Sequence, residues 1–264
     1  MIMIYILTIL FGSIIGSFLN VCIYRIPRNL SIISPSSRCP SCQSPIRPYD
    51  NIPIISYIIL RGRCRYCKTP ISPRYPLVES LNAILYGLII WRLGLGWHTL
   101  ILFAFISSLI VITFIDLDFQ IIPDSITLTG IPVGLIGASL ILPDPFLRGE
   151  KVGFINSIAG IVSGGGIFLM IALVGEKVFG QEAMGGGDIK LMAMIGAFLG
   201  WKSILLTTFA ASLIGSIAGI IFMILTKKGR GLKIPFGPFL ALGAFVSLFF
   251  GQDILYLYIG NTGR

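Results

Sequence analysis

The chain has 264 residues, of which 55% are hydrophobic and only 12% are charged, and its mean hydropathy is +0.92. A water-soluble globular domain cannot cover its surface with so few polar side chains, so this composition excludes one. It predicts an all-α polytopic membrane protein, because closed hydrogen bonding within helices suits a chain that crosses lipid several times.

The first apolar run, residues 2–21, is long enough to span a bilayer. No basic residue precedes it and no small-residue cleavage pattern follows it, so it predicts a retained transmembrane helix and not a removable signal. Seven further runs of spanning or near-spanning length occupy residues 76–91, 99–115, 126–142, 153–175, 189–200, 203–226 and 235–257. The sequence therefore predicts about eight helices. Seven is the alternative, because the sixth run leads almost directly into the seventh.

Lysine and arginine are distributed unevenly between the connecting loops. If the amino terminus lies outside, the cytoplasmic loops are 22–75, 116–125, 176–190 and 227–234, and they hold fifteen of the twenty basic residues. This asymmetry satisfies the positive-inside rule and accounts for most of the net charge of +9. The basic charge therefore indicates no nucleic-acid partner, although it suits contact with the headgroups of anionic membrane lipid.

The insert 22–75 is the one long polar segment, and it contains two Cys-x-x-Cys pairs separated by 21 residues. The four cysteines are Cys39, Cys42, Cys64 and Cys67. This spacing is typical of a structural zinc site, and a segment this small needs such a site to fold. The first alternative is a pair of disulfides, but the reducing cytoplasm disfavours disulfide formation. The second alternative is a redox-active Cys-x-x-Cys motif, but such a motif would not need a second Cys-x-x-Cys copy. Cys22 stands apart and is interpreted as a small packing residue.

The eleven acidic residues are few enough to consider one by one. Asp144, Glu150 and Asp253 fall on the predicted outer side or near a helix end, where solvated surface charge is the ordinary explanation. Asp116 closes the third predicted helix and Asp188 opens the sixth, so the topology puts both at the cytoplasmic membrane boundary. Two adjacent aspartates can share one proton. The ionised partner then takes a proton from water while the other donates to a scissile carbonyl, which is peptide hydrolysis.

Spacing alone leaves alternatives open for the first carboxylate. Asp118 and Asp124 compete with Asp116, and Asp124 follows Pro123 and precedes a predicted helix, as a helix cap does.

Asp188 follows three glycines in the stretch "MGGGDIK". One interpretation is a flexible loop in which Asp188 caps the next helix. The functional interpretation is a substrate-approach loop, in which Gly185, Gly186 and Gly187 adopt positive φ angles and let the backbone come close to an extended peptide.

Four stretches carry a resemblance to the type 4 prepilin peptidases, which belong to the intramembrane aspartyl proteases with a Gly-x-Gly-Asp signature. They are "GSIIGSFLNVCIYRIPR" (12–28), "YDNIPIISYIILRGRCRYCKTPISPRYPLVE" (49–79), "IDLDFQIIPD" (115–124) and "GGGDIKLMAMIGAFLG" (185–200). Carried over residue by residue, the family's catalytic aspartates fall on Asp116 and Asp188. Gly186 fills the variable position of the glycine motif, and the segment around "LPDPFLRGEKVG" is somewhat long for the family.

The resemblance implies a bifunctional enzyme of the bacterial inner membrane. Such enzymes serve type IV pilus, type II secretion and competence systems. They remove the basic leader from prepilins or pseudopilins at the cytoplasmic face and then N-methylate the new amino terminus with S-adenosylmethionine. Glu79 and Asn20 are candidate contributors to methyl transfer, whereas "SGGGIF" (163–168) is better explained by helix packing. The resulting division is a first helix (1–21), a zinc insert (22–75) and a peptidase core (76–264).

Two other functions remain as alternatives. The first is a non-enzymatic membrane assembly or ion-transport protein, which would need its acids along a pathway through the bundle. The second is an enzyme that only cleaves, and the cysteine-rich insert argues against it, because related enzymes of that kind tend to lack the insert. The sequence leaves the oligomeric state and the choice of pilin-like substrate open.

Overall fold

A computed structural model describes residues 2–147, 149–179, 184–226 and 234–262. In these ranges the chain is helical and forms no extended strand. The helices are α1 (Ile2–Arg25), α2 (Ile55–Ile59), α3 (Arg74–Leu93), α4 (Trp97–Phe119), α5 (Asp124–Leu140), α6 (Phe154–Phe179), α7 (Gly186–Leu199), α8 (Trp201–Thr226) and α9 (Gly237–Thr262).

Six of these helices are long and apolar enough to cross a membrane, namely all except α2, α5 and α7. Helices α5 and α7 are also apolar but have only 17 and 14 residues. The sequence predicts about eight transmembrane helices, and the described residues form a helix at each of these eight positions, six of which reach spanning length. The seven-helix alternative is wrong, because Gly200 has a φ of 80° and separates α7 from α8.

The chain divides into two compact units, Met1–Val111 and Ile112–Arg264, so that α4 begins in the first and ends in the second. In the first unit α1 packs along α3. The buried Asn82 amide donates to the Gly12 carbonyl at 2.7 Å and accepts from the Ser107 hydroxyl at 3.0 Å. A buried polar side chain is stable only with such partners, so Asn82 holds α1, α3 and the start of α4 together.

The second unit is organised around α7, whose residues Leu191–Leu199 are all buried. The closest approach is between Gly160 of α6 and Gly196 of α7, where a Cβ on Gly196 would lie only 2.1 Å from the Gly160 carbonyl oxygen. Because a side chain at either position would clash with the backbone of the other helix, Gly160 and Gly196 serve helix packing. Gly164 fits the same explanation, since its Cβ would lie 2.5 Å from the Met192 carbonyl oxygen.

Asp144 corrects the expectation of a solvated surface charge. Its side chain is buried, and its carboxylate accepts hydrogen bonds from the Phe146 N–H at 2.7 Å and the Lys202 ammonium at 3.3 Å. The loop between α5 and α6 turns back over the α7–α8 junction and encloses the carboxylate, which linear position could not indicate.

Candidate active site and cysteine cluster

Asp116 lies in the last turn of α4 and is one of the few buried acids, with 5% of its surface exposed. Its Oδ2 atom accepts a hydrogen bond from the backbone N–H of Gly237 at 2.9 Å. The helix ends just beyond it at Gln120, whose φ is 54° and whose N–H donates to the Asp116 carbonyl at 2.9 Å. The end of α4 thus fixes the Asp116 carboxylate at the first residue of α9.

The two competing acids have different surroundings. Asp118 is exposed, because a residue two positions along a helix points to another face. Asp124 was expected to cap α5, but the N-cap is Pro123 and Asp124 is the first helical residue. Both oxygens of Asp124 accept hydrogen bonds from the Lys190 ammonium at 2.7 Å, in an exposed ion pair that links the starts of α5 and α7.

Asp188 is the third residue of α7 and is half-buried. The N-cap position belongs to Gly185, and no side-chain hydrogen bond caps the helix, so the capping interpretation of Asp188 is wrong. Its position in the first turn still favours a negative charge. The Asp188 and Asp116 carboxylates are close enough to repel each other electrostatically, although they are 72 residues apart in sequence.

The three glycines before Asp188 do not adopt the positive φ angles that the sequence suggested. Gly185 is extended, with a φ of −70°, and Gly186 and Gly187 form the first turn of α7. Gly187 is required for another reason, since a Cβ there would lie 2.8 Å from the Cβ of Ile122. Gly185 and Gly186 are exposed, and their role in substrate approach remains a prediction.

Gly237 is the residue at this site that sequence reasoning missed. A Cβ at this position would lie 2.7 Å from Asp116 Oδ2 and 3.4 Å from Ile122 Cδ1. Ile122 therefore lies against the first turns of both α7 and α9. A signal was present, because the stretch "PFGPF" (235–239) opens a predicted helix on the same membrane side as the two aspartates.

The four insert cysteines form one cluster, in which all Sγ atoms lie within 4.8 Å of one another. The Cys39–Cys67 and Cys42–Cys64 sulfur distances are 3.8 Å and 4.0 Å. A zinc ion with bonds of about 2.3 Å to four sulfurs in a tetrahedron separates them by about 3.8 Å. These two distances match a tetrahedral zinc site, and the four sulfurs are grouped closely enough to bind one ion.

The cluster is built from two copies of one turn, "RCPSCQSPI" (38–46) and "RCRYCKTPI" (63–71). The Cys39 N–H donates to the Ser44 carbonyl at 3.0 Å, and the Cys64 N–H donates to the Thr69 carbonyl at 2.9 Å. In the second copy, a hydrogen bond between the Cys67 sulfur and the Thr69 hydroxyl, which are 3.2 Å apart, lowers the pKa of Cys67 to about 6. A low pKa favours the thiolate, which is the form that binds metal.

Cys22 lies outside this cluster. It is buried in α1 with 6% of its surface exposed, as expected of a packing residue.

One contact stabilises the insert internally and another attaches it to α3. Within the insert, Arg65 forms a two-pronged ion pair with Asp50, at 2.6 Å and 2.8 Å, and this pair holds the pKa of Asp50 below its usual value. The buried Glu79 of α3 accepts a hydrogen bond from the Ile54 N–H at 2.7 Å. Ile54 has a φ of 61°, which is strained for a β-branched residue, so Glu79 stabilises a turn that would otherwise be unfavourable.

Comparison with known proteins identifies two matching family models. Residues 10–93 match the bacterial peptidase A24 N-terminal domain, and residues 103–220 match the type IV leader peptidase family. No solved structure matches the chain.

Three curated relatives carry the name prepilin leader peptidase/N-methyltransferase. The protein of Pseudomonas aeruginosa is 35% identical, over 97% of this chain and 93% of its own length. The protein of Neisseria gonorrhoeae is 38% identical over 93% and 90%. The protein of Myxococcus xanthus is 41% identical over 82% and 62%. Identity of this level over nearly the whole length shows that the chain belongs to the type IV leader peptidase family, as a multi-pass membrane protein.

Proposed function

We propose that this chain is an aspartyl endopeptidase and N-methyltransferase of the bacterial inner membrane, with prepilin-like proteins as substrates. The observation that carries the peptidase assignment is the electrostatic interaction of Asp116 with Asp188 around a shared neighbour, Ile122. This side chain lies against Gly237, which donates to Asp116, and against Gly187, which precedes Asp188. The names of the curated relatives state both the peptidase and the N-methyltransferase activity.

The aspartate pair supplies both proton transfers that peptide hydrolysis needs. One ionised carboxylate removes a proton from water, which attacks the scissile carbonyl carbon. The other carboxyl donates its proton to the carbonyl oxygen, and a proton then passes to the leaving amine as the C–N bond breaks. Water is the nucleophile throughout, so no covalent enzyme intermediate forms.

The orientation of the chain decides which side of the membrane carries this reaction. The insert 22–75 lies in the cytoplasm and the amino terminus outside, as the distribution of basic residues favours. The aspartates then contact a substrate at the cytoplasmic face of the membrane, where the leader of the substrate emerges from the bilayer. The exposed backbone of Gly185 and Gly186 leaves room for an extended peptide beside Asp188.

The cysteine cluster binds one structural zinc ion. Four thiolates close the tetrahedron and leave no open position for water, so the ion stabilises the insert and takes no part in hydrolysis. The sulfur distances of 3.8 Å and 4.0 Å support this assignment.

Methyl transfer requires S-adenosylmethionine, and the groove on α6 does not fit this ligand. A groove of about 390 Å³ on α6 is lined by Met170, Ile171, Val174 and Gly175, which offer no polar side chain to a charged ligand. Glu79 and Asn20 are both engaged internally, with the Ile54 N–H and the Tyr75 carbonyl respectively.

Cleavage of a purified prepilin by the enzyme in nanodiscs tests the peptidase assignment. Asp116→Asn and Asp188→Asn should each lower the rate by at least about 10²- to 10⁴-fold, because one carboxylate cannot act as both acid and base. Asp118→Asn and Asp124→Asn are matched controls. Methylation of a substrate whose leader is already removed should continue in all four variants.

The opposite pattern would contradict the proposal. If the Asp116→Asn enzyme cleaves at a near-normal rate and one control variant is inactive, the first catalytic aspartate has been assigned to the wrong residue. If all four variants cleave, the enzyme does not use these aspartates.

A further inference from the structure

The start of α9 makes a direct contact with the proposed active site. The first N–H groups of a helix have no partner within the helix, and they lie at the positive end of its dipole. The N–H of Gly237, the first residue of α9, donates to Asp116 Oδ2 at 2.9 Å and connects positions 121 residues apart. In this buried contact, an N–H group that has no partner within its own helix donates to the carboxylate of a proposed catalytic residue.

The contact requires glycine. A Cβ on residue 237 would lie 2.7 Å from Asp116 Oδ2, which is shorter than any ordinary contact with a carbon atom. Ile122 closes the other side of the site at 3.4 Å. Any side chain at position 237 would therefore displace the Asp116 carboxylate.

The two aspartates differ in the origin of their backbone contacts. Asp116 accepts a hydrogen bond of 2.9 Å from a helix start 121 residues away, whereas the Asp188 carboxylate interacts with the backbone of Gly185, the N-cap residue of its own helix. Both acids lie near the first turn of a helix, so the helix field alone does not distinguish them. Lys190, the cation nearest to Asp188 along α7, pairs with Asp124. A hydrogen bond from N–H is stronger to an ionised carboxylate than to a neutral carboxyl group.

We propose that Gly237 is a positioning residue: its N–H holds the Asp116 carboxylate in place and favours its ionised form, so that Asp116 acts as the base that activates water. This inference rests on the proposed function of the aspartate pair.

A backbone ester at position 237 tests the N–H alone. Glycolic acid incorporated in place of Gly237 during cell-free translation removes the donor without adding a Cβ. It also weakens the Phe236 carbonyl as an acceptor. The control is therefore phenyllactic acid in place of Phe239, which deletes the N–H that donates to the same Phe236 carbonyl at 3.0 Å.

The ester at position 237 should lower kcat/KM for cleavage by about 10- to 100-fold, as expected for loss of a hydrogen bond to a charged group. Because Asp116 then loses a contact that favours its ionised form, the acid limb of the pH–rate profile should move to higher pH. The control ester should leave both quantities near their wild-type values. Methylation of a pre-cleaved substrate should be equal in both proteins.

A second pair of variants separates positioning from packing. Gly237→Ala should lose cleavage and shift the acid limb in the same direction. Gly243 also lies on α9, and Gly243→Ala places a Cβ 2.4 Å from the Thr207 carbonyl oxygen of α8, so this variant should lower stability without moving the acid limb.

The outcomes distinguish this inference from the proposed function. An active Asp116→Asn enzyme overturns the proposed function. If Asp116→Asn is inactive but the ester at position 237 retains wild-type activity and pH dependence, the aspartate pair stands and the role of Gly237 is refuted.

Discussion

The cysteine cluster allows a quantitative prediction about metal binding. Replacing Cys67 by Ser removes one of four sulfurs that surround the proposed zinc ion. Structural zinc sites contribute about 10–16 kcal/mol. Shared equally among four thiolates, this is about 2.5–4 kcal/mol for each ligand, so Cys67→Ser should weaken zinc binding by roughly 10²- to 10³-fold.

Cys22 provides the matched control. Judged by burial alone, Cys22→Ser should be the more harmful change, since Cys22 is buried and Cys67 is exposed. The zinc assignment predicts the reverse. A serine hydroxyl can bond to a carbonyl one turn earlier in α1, so Cys22→Ser should retain the metal at a cost of about 1 kcal/mol or less.

The assay combines elemental analysis with a competition titration. Wild type and Cys22→Ser should purify with about one zinc per chain, as expected of a closed four-thiolate site, and Cys67→Ser should lose it to a chelator of moderate affinity. Chelation should also expose the insert to trypsin at its arginines. The reasoning is refuted if wild type contains no zinc after growth with the metal, or if Cys67→Ser binds zinc as tightly as wild type.

Three further predictions concern stability and topology. Glu79→Leu leaves the Ile54 N–H without an acceptor, so limited proteolysis should show a destabilised insert, by about 1–3 kcal/mol, whereas Glu79→Gln keeps an acceptor and should resemble wild type. Gly196→Ala places a Cβ 2.1 Å from the Gly160 carbonyl oxygen and should cost about 1–3 kcal/mol, measured as a lower Tm in detergent; an unchanged Tm would contradict the tight crossing. Ser36→Cys, in the exposed part of the insert, should resist a membrane-impermeant maleimide applied to intact cells, and efficient labelling would reverse the proposed orientation.

The helices and the cysteine cluster follow from local features of the sequence. Apolar runs of about 20 residues predict membrane helices because each must satisfy its own backbone hydrogen bonds in lipid. The eight predicted runs correspond to α1 and α3 to α9. The two Cys-x-x-Cys pairs predict one site because tetrahedral coordination needs four sulfurs, and the structure brings all four within 4.8 Å.

The surroundings of the acidic residues follow only from the tertiary structure. Spacing could not distinguish Asp116 from Asp118, since the choice depends on which face of α4 turns toward α9. Asp144 likewise becomes buried only because a distant lysine and a returning loop enclose it.

The glycines show the same division between sequence and structure. The sequence alone determined that Gly185 to Gly187 precede a helix, but it suggested a left-handed loop where the chain instead begins α7. It predicted that the last helix begins on the same membrane side as the aspartates, but it did not predict the contact between Gly237 and Asp116. That contact joins two helix ends that are 121 residues apart in sequence. The space available to a Cβ at position 237 depends on how α4, α7 and α9 pack, and no local pattern of residues predicts this packing.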